Sequence, residues 1–280
     1  MNNNFNEKYS YPKNSNGSII WGVIWPLLIY LGITFLPSIL VTIILLVMHP
    51  DSINQLNTFL NKYALVMLIS AQIIQIPVFL LVYFNQKKYF PKITNKPNFK
   101  VSIFSILGIV SVGIISGFFI AFLEKIINPV DGGISIVNEY INSGSLFLTI
   151  QAAVIFAPII EELLFRGLIF NRINSKWNIW VAILISALIF GFIHFNLLQG
   201  LNAFIIGLAL AYVYAKTRSL WICIFAHSFN NLLSIICQKL NFAINGNYTL
   251  DSNISIAIQL TIVVITIILL SSNYFSKESN

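Results

Sequence analysis

The 280-residue sequence predicts an all-α fold, a polytopic bundle of about eight transmembrane helices, and three observations predict it. The first is composition: 57% of residues are hydrophobic and 9% are charged, where a water-soluble domain carries roughly 25% charged residues. The mean hydropathy is +0.83. The second is the recurrence of apolar runs of about 18 residues or more, each long enough to cross a bilayer as a helix. The third is the placement of Lys and Arg, which fall almost entirely on alternate sides of those runs. So few charges cannot cover a soluble body, so a soluble enzyme, a nucleic-acid-binding domain and a disordered chain are excluded. Backbone groups in lipid must be satisfied within the segment or in a closed barrel, and runs of this length mean helices.

In chain order, residues 1–18 form a polar, Asn-rich tail with Lys8 and Lys13. Ile19–Met48 then runs without a charge. It is too long for the apolar region of a signal peptide, and no small-residue cleavage site follows. It is expected to be an uncleaved first span, tilted or kinked at Pro26 or Pro37. The following spans are expected at Tyr63–Phe84, Val101–Leu123, Leu146–Phe170, Trp177–Leu198, Leu201–Tyr214, Leu220–Cys237 and Ile254–Leu270, the sixth being short.

With the N-terminus inside, the inner segments hold Lys8, Lys13, Lys87, Lys88, Lys92, Lys96, Lys100, Arg166, Arg172, Lys176, Lys216, Arg218 and Lys277. The outer segments hold only Lys62, Lys125 and Lys239. This asymmetry places both termini in the cytoplasm. It also accounts for the net charge of +7 without a nucleic-acid partner; the partner the charges imply is the lipid bilayer. Cys223 and Cys237 lie in one apolar run, about 21 Å apart on a single helix, too far to bond to each other. They are expected to be small buried hydrophobes. Gly113-x-x-x-Gly117 in the third span, with Gly108 and Ser116 nearby, permits close helix contact.

Ionisable groups inside the apolar runs are costly and are usually functional or paired. Of the nine acids, only Glu161 and Glu162 lie well inside a span. Of the three histidines, His49 flanks the first span, while His194 and His227 lie within the fifth and seventh. Glu162 and Arg166 are i, i+4 with the acid N-terminal, the better order for an intrahelical ion pair. Glu162 is therefore expected to be structural. Glu161 points about 100° away around the helix and is the carboxylate assigned to chemistry. Phe190 lies one turn before His194 and can fix its ring. His227 and Asn231 share a face at i, i+4, where an imidazole and a carboxamide can hold a metal or offer two donors to an oxyanion.

Counted from the inner ends at 1.5 Å per residue, Glu161 lies about 14 Å deep and His227 about 11 Å. His194 comes out at about 25 Å, or roughly 17–20 Å if the core starts after the interfacial Trp177 and Trp180 and the helix tilts.

Glu161-Glu162-x-x-x-Arg166, Phe190-x-x-x-His194 and His227-x-x-x-Asn231 together resemble the motif set of the CPBP family, which holds the CAAX prenyl proteases and the bacteriocin-processing and self-immunity, or Abi, proteins. Phe204-x-x-Gly207-x-x-x-Ala211-Tyr212 is similar to the family's small-residue motif, with Ala211 where a glycine is often seen. The resemblance covers about residues 148–240; the first three spans match only in being hydrophobic. It divides the chain into the tail at 1–18, N-terminal transmembrane helices at 19–145, a CPBP/Abi-like catalytic core at 146–240, and an outer loop, last span and C-terminal tail at 241–280.

The resemblance implies an intramembrane endopeptidase acting on a peptide or membrane-protein substrate. By position, Glu161 would activate the attacking water, His194 would assist it, and His227 and Asn231 would form the oxyanion site. Glu162, Arg166 and Phe190 would support them. The resemblance also implies Zn²⁺ held by Glu161, His194 and His227; a metal-free glutamate mechanism is the other version, since HExxH, the usual zinc-protease signature, is absent. Hydrolysis needs water, and Asn196, Gln199, Asn202, Ser228 and Asn230 are candidates to line a wet cavity.

Other intramembrane chemistries lack their residues. Asp51, Asp131 and Asp251 all sit in expected loops, and no Gly-x-Ser-Gly occurs. Two readings of other classes stand beside the protease: a catalytically idle immunity or scaffold protein, and an ion-coupled transporter, which would call for internal repeats.

Overall fold

A computed structural model of the chain describes residues 19–48, 56–87, 90, 97–127 and 145–245. Among the described residues, every regular element is helical. In order they are α1 Ile19–Met48, α2 Leu56–Gln86 and α3 Phe99–Ile127, then a near-continuous rod, then α7 Ile179–Phe192, α8 Leu197–Thr217 and α9 Leu220–Asn245. The rod consists of α4 Leu146–Thr149, π-helical Ile150–Phe156, α5 Ala157–Glu162, π-helical Leu163–Phe170 and α6 Asn171–Asn174. Among the described residues, five helices are long and apolar enough to cross a bilayer: α1, α2, α3, α8 and α9. Their outward residues, such as Leu28, Leu81, Phe122 and Trp221, are large, apolar and exposed, as contact with lipid tails requires. This is a multi-pass membrane protein. The expected last span, Ile254–Leu270, lies outside the described residues.

The chain divides into two units. The first comprises Met1–Lys92 and Glu139–Ala182. Here α1 packs on α2, and α2 packs along the rod. Helix α1 runs through both Pro26 and Pro37. The rod is irregular for a physical reason. Pro158 has no N–H to donate and its ring crowds the carbonyl four residues back. The turns before it are widened into π form, a common device for absorbing such a break; there the Ala157 N–H donates to the Ala152 carbonyl. The second π stretch leaves carbonyls that Asn171 covers, its Nδ2 donating to the Arg166 and Gly167 oxygens at 3.1 and 2.9 Å. Phe79, Ile160, Leu164, Phe165, Ile169 and Phe170 form the core of this unit, each at most 1% exposed.

The second unit comprises Ile93–Asn138 and Ile183–Asn280. Helix α3 packs on α8 and α9, which also pack on each other. The Gly113 position of the small-residue motif is used inside the protein: a β-carbon there would collide with the Asn230 side chain of α9. Gly108 and Gly117 have nothing near, so the contact belongs to Gly113 alone. Ser116 Oγ donates to Asn202 Oδ1 at 2.6 Å, tying α3 to α8. Cys223 and Cys237 are buried free thiols, as their setting predicts.

Two sequence expectations are corrected. The fifth span does not run to Leu198: α7 ends at Phe192, and residues 193–196 form a tight reversal. The sixth helix is correspondingly longer than Leu201–Tyr214, starting at Leu197 and ending at Thr217. Apolar Ile193, Phe195, Leu197 and Leu198 conceal this turn in a hydropathy reading. Asn196-x-x-Gln199 is the signal that could have located it, a capping pattern at a helix start. Asn196 is extended, and its Oδ1 accepts from the Gln199 N–H at 3.0 Å.

Candidate active site

Within the first unit, the rod places Glu161 and Glu162 at the end of α5, between the two π stretches. Glu162 does what its spacing predicts. Its Oε1 accepts from Arg166 Nη1 at 2.9 Å, and both side chains are fully buried. An ion pair at zero exposure is costly to break, because one charge would then stay buried alone. Glu161 is half-buried. On α1, the Tyr30 carbonyl accepts from Gln75 Nε2 of α2 at 3.0 Å, a contact that no local sequence pattern announces.

Within the second unit, Phe190 organises both imidazoles. Its ring meets the His194 ring edge-on at 5.1 Å between centroids, and the His227 ring edge-on at 5.8 Å. Gly207 of α8 lets that helix approach Phe190: a β-carbon there would stand 3.1 Å from the Phe190 ring and 3.3 Å from Ala187. Likewise a β-carbon on Gly191 would come within 2.7 Å of the Gly200 carbonyl. The Phe204–Gly207 motif thus seats α8 closely against the end of α7.

His194 lies in the reversal rather than within a helix. The reason is visible in the backbone: its N–H bonds the Gly191 carbonyl, and Phe195 follows at φ 51°, a left-handed conformation. A depth counted along a straight helix from Trp177 therefore stops applying at Phe192. His194 Nδ1 lies 2.8 Å from the Phe190 carbonyl oxygen. A carbonyl only accepts, so Nδ1 carries the proton and donates. In the neutral ring, Nε2 then presents its lone pair. His227 is buried, and Asn231 follows one turn later on the same face of α9.

Three of the five polar residues expected near a wet cavity have structural duties. Asn196 caps α8, Asn202 accepts from Ser116, and Asn230 packs against Gly113. Among the described residues, no three His, Cys, Asp or Glu side chains gather at metal-ligand spacing.

Residues 143–233 match the family model described as type II CAAX prenyl endopeptidase Rce1-like. The chain is 36% identical over 133 residues to a Bacillus subtilis protein named "Putative membrane peptidase YdiL". That alignment covers 44% of this chain and 54% of the relative. It is also 32% identical over 87 residues to an Escherichia coli protein named "Uncharacterized 24.3 kDa protein", covering 29% of this chain and 40% of that one. The chain thus spans about half the length, or less, of the curated relatives it matches. No solved structure matches. The matched stretch holds all three motifs, from Glu161 to Asn231, and over it the chain is similar to the CAAX protease family that those motifs resemble.

Proposed function

We propose that this protein is an intramembrane endopeptidase that hydrolyses a peptide bond of a membrane-associated peptide or membrane protein. The observation that carries the reading is the family match over residues 143–233, which includes every residue the chemistry needs. The relative named as a membrane peptidase supports it.

In this mechanism Glu161 is the general base. It takes a proton from the attacking water as the oxygen adds to the scissile carbonyl, and passes that proton to the departing amine. A carboxylate in a low-dielectric bundle is suited to this role. His194 supports the water through Nε2, the nitrogen that its bond to the Phe190 carbonyl leaves as acceptor. His227 and Asn231 donate to the oxyanion; one such donor is worth about 10²–10³ in rate. Zn²⁺, where bound, would be held by Glu161, His194 and His227 and would acidify the water directly; the steps above are those of the chain's own residues. The termini face the cytoplasm, and the biological setting is peptide processing or self-immunity against a bacteriocin in a bacterial membrane.

Glu161→Ala beside Glu162→Ala tests the assignment, assayed on a panel of transmembrane and lipidated reporter peptides. Glu161→Ala is expected to express normally and lose about 10²–10⁴ in rate. Full activity in that variant sinks the assignment. Phenanthroline separates the two versions of the mechanism: activity that survives it supports the metal-free one. Activity lost to the chelator and restored by zinc would replace the metal-free mechanism with a metal-dependent one.

A further inference from the structure

Helix α3 lies outside the family match, yet α8 and α9 both pack on it. Ile109, Gly113, Ser116 and Ile120 recur at spacings of four and three, which puts them on one face of the helix. Ile109, Ser116 and Ile120 are at most 2% exposed, so this face is turned into the unit. Two of its residues make specific contacts. A β-carbon on Gly113 would collide with the Asn230 carboxamide of α9. One turn further on, Ser116 Oγ donates to Asn202 Oδ1 of α8 at 2.6 Å.

A carboxamide inside an apolar helix is costly to bury, and polar contacts between helices in lipid are weak glue. Adhesion is therefore a poor reason for Asn230. A side chain lodged on a glycine is better suited to setting an angle. On α9, Asn230 follows His227 by three residues and precedes Asn231 by one. Around the helix axis it stands about 60° from His227 and about 100° from Asn231. Any turn of α9 that unseats Asn230 swings both by the same angle. With side chains reaching about 5–6 Å from the axis, a turn of about 20° moves their tips by about 2 Å. A misplacement of about 1 Å is enough to cost about 10²-fold in rate. The α8 contact bears on the same pair. Gly207 of α8 lets that helix approach Phe190, whose ring meets the His227 ring edge-on at 5.8 Å.

We propose that Gly113 and Ser116 of α3 are positioning residues for the oxyanion pair His227 and Asn231. Gly113 sets the rotation of α9 through Asn230, and Ser116 holds α8 through Asn202. This rests on the reading of His227 and Asn231 as oxyanion donors, and its first readout does not depend on turnover.

That readout is a native thiol. Cys223, Asn230 and Cys237 recur every seven residues along one stripe of α9. Cys223 is fully buried, and its Sγ donates to the Leu210 carbonyl of α8 at 3.7 Å. A turned α9 brings this thiol out of its contact. The full chain in lipid nanodiscs is treated with N-ethylmaleimide, and the Cys223 peptide is quantified by mass spectrometry, with Cys223→Ala as background. Gly113→Ala is expected to raise Cys223 alkylation about threefold or more. On a reporter peptide that requires Glu161, it should lower kcat about tenfold or more and leave KM in place. Gly117→Ala, on the same helix with nothing near it, should match wild type in both. Adding Asn230→Ala to Gly113→Ala removes the group that the new methyl strikes, and should bring alkylation back to within about twofold of wild type. Ser116→Ala should give a smaller rise, with a smaller fall in kcat.

Wild-type alkylation in Gly113→Ala overturns the proposal. So does an equal rise in Gly117→Ala, or a rise that Asn230→Ala leaves in place, since either marks general loosening rather than a lost angle. Raised alkylation with unchanged kcat overturns the positioning role. If Gly113→Ala does not accumulate, Ser116→Ala carries the test, and wild-type alkylation or unchanged kcat there overturns the proposal. Full activity in Glu161→Ala overturns the enzymatic reading instead, and alkylation still decides whether Gly113 sets the rotation of α9.

Discussion

The carboxylate-bearing rod and the imidazole-bearing helices are held by different physics. In the first unit the position next to Glu161 is fixed by charge: Glu162 and Arg166 form a fully buried pair at 2.9 Å. The second unit carries His194 and His227. They are placed by shape, through one aromatic ring packed close to Gly207, and by one backbone carbonyl that sets the His194 tautomer. A charge pair is strong and tolerates little loss, since removing one member strands the other. A shape contact fails gradually, by fractions of the volume removed. The carboxylate end should therefore break by unfolding, and the imidazole end by misplacement.

Arg166→Ala tests the first half of that contrast and carries the largest expected effect. It should destabilise the protein by about 3–5 kcal/mol, read as a collapse of the thermal midpoint in detergent. Glu162→Leu combined with Arg166→Leu should recover most of that loss, because no charge is left stranded. A double variant as unstable as the single one would show that the pair is not the anchor.

Phe190→Leu tests the second half. The core change should cost less than about 1.5 kcal/mol, while the rings lose their common contact. Activity on a reporter peptide should fall about tenfold, equal to about 1.4 kcal/mol of barrier. Stability lost without a matching loss of rate would remove Phe190 from its organising role.

Phe195→Gly is the smallest change. Phe195 holds φ 51° beside His194, which costs an L-residue about 1–2 kcal/mol. Glycine removes that strain and adds chain entropy to the unfolded state, so stability should move by less than about 1 kcal/mol either way. A large fall in the thermal midpoint would mean that the exposed Phe195 ring has a contact that matters.

What was legible in the sequence followed from short-range spacing. The apolar runs showed α1, α2, α3 and α9, because length and hydropathy are all that lipid demands. The Glu162–Arg166 pair is a four-residue relation on one helical face, and the Phe190 contact with His194 has the same spacing although α7 ends between them at Phe192. What stayed hidden is long-range or breaks helical periodicity. Tyr30, Thr34 and Gln75 look like ordinary span residues until α1 and α2 meet. Asn230 gives no hint that Gly113 is waiting for it. The reversal at His194 is masked because its residues are as apolar as the helices it joins; only Asn196 and Gln199 mark it.

The π-helical stretches at Ile150–Phe156 and Leu163–Phe170 have a practical consequence for anyone engineering this protein. A helical wheel assumes one constant angular step per residue. The rod behaves instead like a screw with two stretches cut to a different pitch, so a wheel drawn from Leu146 to Asn174 will rotate out of phase twice. Lipid-facing and inward-facing positions must be assigned afresh after Phe156 and again after Phe170. Any insertion or deletion intended to slide Glu161 along its axis would also swing it around the rod.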